Sequence, residues 1–84
     1  MPNNTDTLSR IQEIIADQLV VSYEVVKPET NLVDDLGADS LDQVEIIMAL
    51  EDEFDFEISD EVSEELSRAT IARLVEYVDS RLKE

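Results

Sequence analysis

Ser40 is the residue of this chain whose type and position best suit chemistry. It stands at the start of the clearest amphipathic stretch and follows the segment Asp34-Asp35-Leu36-Gly37-Ala38-Asp39. A serine needs a neighbouring base to act as a nucleophile, and the chain contains no histidine and no cysteine. The sequence therefore predicts that Ser40 is a point of attachment and that the chain carries a group without catalysing a reaction.

A purely structural role for Ser40 is the competing interpretation. Ser40 and Gln43 have the spacing of a capping box, in which the serine only caps a helix. A helix N-terminus also presents unpaired N–H groups and a positive dipole, which can hold a phosphate attached to the cap side chain. Gly37, the only glycine, precedes Ser40 in a long loop and is expected to provide either a positive φ or a close approach of the backbone. This loop favours attachment over simple capping.

Apolar residues at three- and four-residue steps predict four helices and no strand. The first runs from about residue 6 to 21 with Thr5 or Asp6 as its cap, and the second covers 41–55. The third is short, capped by the run Ser59-Asp60-Glu61 and extending to about Leu66, and Thr70 caps the fourth. The predicted buried faces are Leu8, Ile11, Ile15 and Leu19 in the first helix, Val44, Ile47, Leu50 and Phe54 in the second, and Ile71, Leu74, Val75, Val78 and Leu82 in the fourth.

The predicted fold class is therefore all-α, a small four-helix bundle with a long first loop and a short third helix. Residues 22–39 form the loop, about 18 residues held to the core by Val26, Leu32 and Leu36. A chain of 84 residues allows one domain, 1–84, with residues 1–5 expected to be frayed. We expect a monomer.

The charge limits the classes of partner. Twenty-two acids against six bases give a net charge of −16, and no Lys or Arg occurs between Lys27 and Arg68. Such a surface excludes nucleic acid and anionic membranes and favours fast encounters with basic protein patches. No apolar run is long enough to span a bilayer, and the N-terminus lacks the basic and apolar parts of a signal peptide. The expected location is the cytoplasm, with an organelle matrix after removal of a targeting segment as the alternative.

Two runs of residues carry a resemblance to a known family. Leu36-Gly37-Ala38-Asp39-Ser40-Leu41-Asp42 and Val44-Glu45-Ile46-Ile47-Met48-Ala49-Leu50-Glu51-Asp52-Glu53-Phe54 resemble the acyl carrier proteins of dissociated (type II) fatty-acid synthases. The resemblance implies that a phosphopantetheinyl transferase (holo-carrier synthase) attaches 4′-phosphopantetheine from coenzyme A to Ser40, beside Asp39 and Leu41. The thiol of this arm then holds acyl chains as thioesters for fatty-acid synthesis enzymes. The residues implied to bind these partners are Leu41, Asp42, Glu45, Met48, Glu51 and Asp52.

The chain departs from the family pattern at three places. Ser59 stands where the family has proline, and the segment between Ile58 and Ile71 is about two residues longer than the commonest pattern, near residues 65–69. Val20 occupies a position where many members have glycine. These changes bear on the third helix and on the loop and leave the attachment site intact.

A cavity for the acyl chain is a further expectation, with Ile46, Leu50, Ile58 and Leu66 as its walls; an ordinary tight core is the alternative. No metal is expected. The window Asp34–Glu45 has acids at both ends, as a calcium loop has, but Leu36 and Ala38 occupy ligand positions and the glycine is misplaced. The remaining alternatives are a carrier for polyketide or other specialised lipid synthesis, an acidic structural interaction subunit and, most weakly supported, an enzyme.

Overall fold

The computed structural model describes residues 4–82, and side chains from residue 7 onward. Four helices follow one another: α1 (Asn4–Leu19), α2 (Ser40–Phe54), α3 (Asp60–Ser67) and α4 (Ile71–Leu82), with a 3-10 helix (Tyr23–Val25) after α1. No strand occurs in this part of the chain, where β pairing is limited to an isolated bridge between Asn31 and Thr70. The all-α class, the long first loop and the short third helix are confirmed; the 3-10 helix was not predicted.

The core is built mainly of aliphatic side chains from every helix and from the loop. α1 packs against both α4 and α2, and α3 packs against α2. The fully buried large side chains are Ile11, Ile15, Val26, Leu32, Ile46, Leu50, Leu66, Ile71, Leu74 and Val78. Val26 and Leu32 therefore hold the first loop to the core as predicted, and Leu36 packs against it while partly buried. Burial of such side chains is the dominant favourable term in folding.

Several helix boundaries and faces differ from prediction. Thr5 and Asp6 lie inside α1, so neither is its cap. Val44 is 54% exposed, because the buried face of α2 is centred on Ile46 and Leu50 and about 100° per residue places Val44 well outside it. Leu82 is 51% exposed, since the last turn of α4 presents Arg81, and not Leu82, to the core. The prediction that residues 1–5 are frayed lies largely outside the described part of the chain. Residues 1–3 are not described, and only the backbone of residues 4 and 5 is described.

α1 ends in a left-handed residue that is not glycine. Val20 has φ 56° and is 88% exposed, and the Val21 N–H donates to the Ala16 carbonyl oxygen at 3.0 Å. This bond pattern is the Schellman motif, in which the residue after the helix is most often glycine. A β-branched residue there is strained, because Cβ crowds the following carbonyl.

An aromatic cluster closes the bundle where α2 ends. Phe54 and Phe56 stack with 6.2 Å between ring centroids, and Tyr77 meets Phe56 edge-on at 6.1 Å. The Arg81 guanidinium lies 4.8 Å from the Phe56 centroid and donates to the Glu57 carbonyl oxygen (2.9 Å) and the Tyr77 hydroxyl (2.7 Å). Arg81 thereby ties the last turn of α4 to the chain leaving α2.

The connection between α3 and α4 is held by a two-pronged ion pair. Arg73 of α4 donates through Nε to Glu65 Oε2 at 2.7 Å and through Nη2 to Oε1 at 3.3 Å. The hydrogen bond from Arg73 lowers the pKa of the exposed Glu65 carboxyl below its ordinary value of 4.5, and the same bond raises the pKa of Arg73. Within the predicted capping run Ser59-Asp60-Glu61, Ser59 is the residue that caps α3, through the Val62 N–H. Thr70 Oγ1 accepts from the Arg73 N–H at the start of α4.

Candidate functional site

Asp39, and not Ser40, caps α2. Asp39 Oδ1 accepts the N–H of Asp42 at 2.9 Å, and Asp42 Oδ2 accepts the N–H of Asp39 at 3.2 Å. These reciprocal bonds are a capping box made by two aspartates. The predicted box of Ser40 and Gln43 is wrong because the helix starts at Ser40, one residue earlier than a Ser40 cap requires. Gln43 Nε2 donates instead to the Ala38 carbonyl oxygen at 3.2 Å.

Ser40 is therefore free to carry a group. It is the first residue of α2 and is exposed. Within the described part of the chain its Oγ makes no hydrogen bond, and the N–H groups of Ser40 and Leu41 have no acceptor. Free N–H groups at a helix N-terminus suit the oxygens of a phosphate. The environment thus fits a phosphodiester on Ser40 Oγ.

A network centred on Asn31 fixes the loop that leads to Ser40. Asn31 Oδ1 accepts the N–H groups of Val33 and Asp34, both at 2.9 Å, and the Asn31 N–H donates to Asp35 Oδ2 at 2.8 Å. Gly37 has φ 70°, the first of the two roles predicted for it, and an added Cβ would meet nothing within 4 Å, so the second role, a close approach, is not observed. Glycine is needed there for its backbone conformation and not for space.

The same loop is docked onto the connection between α3 and α4. The Ile71 N–H donates to the Thr30 carbonyl oxygen (2.9 Å) and the Leu32 N–H to that of Ala69 (3.3 Å). Asn31 Nδ2 donates to the Arg68 carbonyl oxygen at 3.0 Å. These bonds hold Ser40 beside residues that are far from it in sequence.

Exposed side chains of α2 form one apolar strip with acids around it. Leu41, Val44 and Met48 are 65%, 54% and 58% exposed, and Glu45 and Asp52 are also exposed. We call Leu41, Val44, Met48, Glu45 and Asp52 the α2 face. A groove between α1 and α2 adjoins it, lined by Gln18, Glu45, Met48, Ala49, Glu51 and Asp52. The exposed positions predicted for Leu41, Glu45, Met48 and Asp52 are those observed; Val44 was missed because its spacing also fits the core stripe.

Three residues of the predicted partner set accept hydrogen bonds within the molecule, and one of them, Glu45, accepts from Gln18 Nε2. Asp42 belongs to the capping box, and Glu51 Oε2 accepts the N–H of Ile58 at 2.8 Å. Both are partly buried. Their carboxylates shape the ends of α2 as well as adding negative charge beside the α2 face.

The four residues predicted to wall an acyl cavity lie together in the core. Ile46, Leu50 and Leu66 are fully buried, and Ile58 is 8% exposed. They come from α2, α3 and the segment between them, and those two helices are in contact. The four side chains are all aliphatic, which is the type of lining an acyl chain needs.

Potential metal ligands do not gather in the described part of the chain. No cluster of three or more potential ligand side chains is found among residues 7–82. Within the Asp34–Glu45 window, Asp35, Asp39 and Asp42 are each bonded to backbone N–H groups. Of the helices that the structure describes, none has the length and apolar character needed to cross a bilayer.

The fold and the exposed serine define a small helical carrier domain, and the comparisons agree. The family model for the phosphopantetheine attachment site matches residues 9–78. A solved acyl carrier protein from Enterococcus faecalis, described for its high thermal stability, is 34% identical with a TM-score of 0.76. The match covers 94% of this chain and 98% of that one.

The chain therefore belongs to the phosphopantetheine-attachment family and, within it, to the acyl carrier proteins. Members of this class carry acyl groups and are not enzymes. The cofactor is a covalently bound 4′-phosphopantetheine, whose terminal thiol supplies the thioester chemistry that this cysteine-free chain lacks.

Proposed function

We propose that this protein carries growing acyl chains between the enzymes of fatty-acid synthesis, with Ser40 as the attachment residue. The proposal rests on one observation: Ser40 is exposed and does not cap α2, because Asp39 is the cap. The chain itself makes and breaks no bond. It supplies a tethered thiol, and tethering raises the effective concentration of the acyl group at each enzyme.

The modification test is an intact mass measured after incubation with coenzyme A and a phosphopantetheinyl transferase. The parent is expected to gain one phosphopantetheine, Ser40→Ala none, and Ser80→Ala, which removes another exposed serine, as much as the parent. Labelling of Ser40→Ala, or an unlabelled parent, would overturn the assignment.

We further propose that the α2 face receives the transferase and the synthesis enzymes through their basic patches. An apolar strip of three side chains gives a small contact, and the acids around it give attraction at long range. This combination suits fast, reversible encounters. Asp42 and Glu51 add to the negative field, and the groove beside Met48 offers an acidic recess for a Lys or Arg of the partner.

Reversing one charge on this face tests the electrostatic part. A unit charge about 8 Å from a partner charge interacts in water by about 0.5 kcal/mol, so its reversal costs about 1 kcal/mol, or roughly fivefold in association rate. Glu45→Lys should slow transfer from a basic partner enzyme by this factor at low salt and by less at high salt. Glu24→Lys, the same change in the 3-10 helix, should have little effect. Equal slowing by both variants would show that only net charge matters.

The junction of Ile46, Leu50, Ile58 and Leu66 is our proposed site for the acyl chain. Entry of a chain between α2 and α3 would bury its methylene groups, at about 0.8 kcal/mol for each one removed from water. A long acyl group on the arm should therefore raise the melting temperature, whereas an acetyl group should not. No rise with the long chain would argue that the arm stays outside the bundle.

The single domain 1–84, the monomeric state and the cytoplasmic location stay predictions. The location expected from the sequence is testable by fractionation, and the monomer by sedimentation.

A further inference from the structure

A surface depression adjoins Ser40, and none of its lining residues belongs to the α2 face. It is lined by Asn31, Val33, Asp34, Ser40, Gln43 and Arg68. The lining comes from the first loop, from the first turn of α2 and from the end of α3. It is thus a place where three segments meet at the candidate modification site.

Arg68 brings a positive charge to this depression. Its backbone is fixed from both sides, because its N–H donates to the Glu65 carbonyl oxygen at 3.2 Å and its own carbonyl oxygen accepts from Asn31 Nδ2 at 3.0 Å. The guanidinium, in contrast, makes no ion pair or hydrogen bond within the described part of the chain, whereas Arg10 and Arg73 are both paired with glutamates. In a chain with 22 acids and six bases, an unpaired arginine beside Ser40 is unexpected.

The surroundings of Ser40 are otherwise negative. No Lys or Arg occurs in residues 28–67, and Asp34, Asp39 and Asp42 lie on the loop and first turn next to the serine. A phosphodiester on Ser40 adds one more negative charge there. Coulomb repulsion from the aspartates disfavours that charge, and a cation in the adjoining depression offsets it.

We propose that the Arg68 guanidinium binds the phosphodiester joined to Ser40 and holds the first part of the arm in this depression. The proposal rests on the proposed function, since it needs Ser40 to be modified. Guanidinium groups bind phosphate oxygens through two parallel N–H donors. Asp34 also lines this depression, so its carboxylate competes with the phosphodiester for the guanidinium.

The test compares apo and holo protein in the parent, Arg68→Gln, Arg68→Lys and Lys27→Gln. Lys27→Gln removes the same charge from a residue that does not line the depression. We would record the ³¹P spectrum of the phosphodiester, the ¹H–¹⁵N signal of Arg68 Nε, and the change in melting temperature between the apo and holo forms. Intact mass establishes that each holo sample is fully modified at Ser40.

The proposal predicts a shift of the Arg68 Nε signal on modification and a changed ³¹P shift in Arg68→Gln but not in Lys27→Gln. The melting-temperature change on modification should be about 3 °C more favourable in the parent than in Arg68→Gln at low salt, and about equal in 0.5 M salt. Arg68→Lys should fall between them, since it keeps the charge and loses the paired donors.

Full modification without any shift of the Arg68 signal would overturn this inference and leave the carrier function standing. So would an effect of Arg68→Gln confined to the rate of modification, because Arg68 would then contact the transferase or coenzyme A and not the attached arm. An unmodified parent would instead refute the carrier function itself.

Discussion

Replacing Val20 with glycine is expected to stabilise this protein. Val20 follows the last residue of α1 with φ 56°, a conformation that costs a residue with a side chain about 1–3 kcal/mol and glycine nothing comparable. Two terms oppose the gain. Glycine raises the entropy of the unfolded chain, which lowers the free energy of unfolding by about 0.4–1 kcal/mol. The loss of the Val20 side-chain contact costs only about 0.2 kcal/mol, because this side chain is 88% exposed.

The balance favours Val20→Gly by about 1 kcal/mol, which corresponds to a rise of about 5 °C in melting temperature for a domain of this size. The Schellman bond from the Val21 N–H to Ala16 stays available to the variant, so the fold of the loop is not altered. Val20→Asn should give a gain of similar size, since asparagine tolerates this conformation and does not add the entropy of glycine.

Thermal and urea unfolding followed by circular dichroism measure the effect. Val25→Gly is the matched control, because Val25 is also exposed, at 45%, but does not have a positive φ. That substitution should lower the free energy of unfolding by about 0.5–1 kcal/mol. If Val20→Gly destabilised the protein as much as Val25→Gly, the backbone-strain argument would be refuted.

Two further changes probe the contacts that close the bundle. Because the Arg73 hydrogen bond lowers the pKa of Glu65, the stabilisation from this ion pair is complete above about pH 4.5 and is lost as the pH falls through the lowered pKa. The melting temperature of Glu65→Gln should therefore lie below that of the parent at pH 7 and converge with it in acid. The control variant Glu64→Gln should show no such convergence. Arg81→Met keeps the apolar stem but loses the cation over Phe56 and two hydrogen bonds, so the free energy of unfolding, measured with denaturant, should fall by about 1–2 kcal/mol. Arg10→Met removes an exposed ion pair and should lower it by less than about 1 kcal/mol. Equal losses in the two arginine variants would contradict the role given to Arg81.

Local signals in the sequence predicted most of the architecture. Apolar periodicity placed α2, α3 and α4 to within a residue or two, because each helix buries a stripe that repeats with the helical period. Short polar residues at Ser59 and Thr70 predicted two helix starts, since caps act over three residues of chain. Gly37 was expected to provide a positive φ or a close approach, and the structure shows the positive φ.

The errors arose where two local patterns competed. Ser40 and Asp39 can each cap a helix, and only the three-dimensional path of the loop, held by Asn31, decides that Asp39 does so. Val44 fits both the core stripe and the exposed strip, and the packing of α2 against α1 and α3 decides its exposure. Asn31 was a signal in the sequence for the turn at Val33 and Asp34, since Asn side chains accept hydrogen bonds from the backbone of the residues that follow.

By itself, the sequence determined that this protein is a small, acidic helical carrier with a serine at the start of its second helix and no group to activate it. These properties depend on composition and on residues within one turn of each other. The tertiary structure alone decided that the serine hydroxyl is free, that Val20 is strained, and that Arg68 lies beside Ser40. The last of these depends on a bond between Asn31 and Arg68, 37 residues apart in the chain, and such contacts form only when the loop docks on the folded bundle.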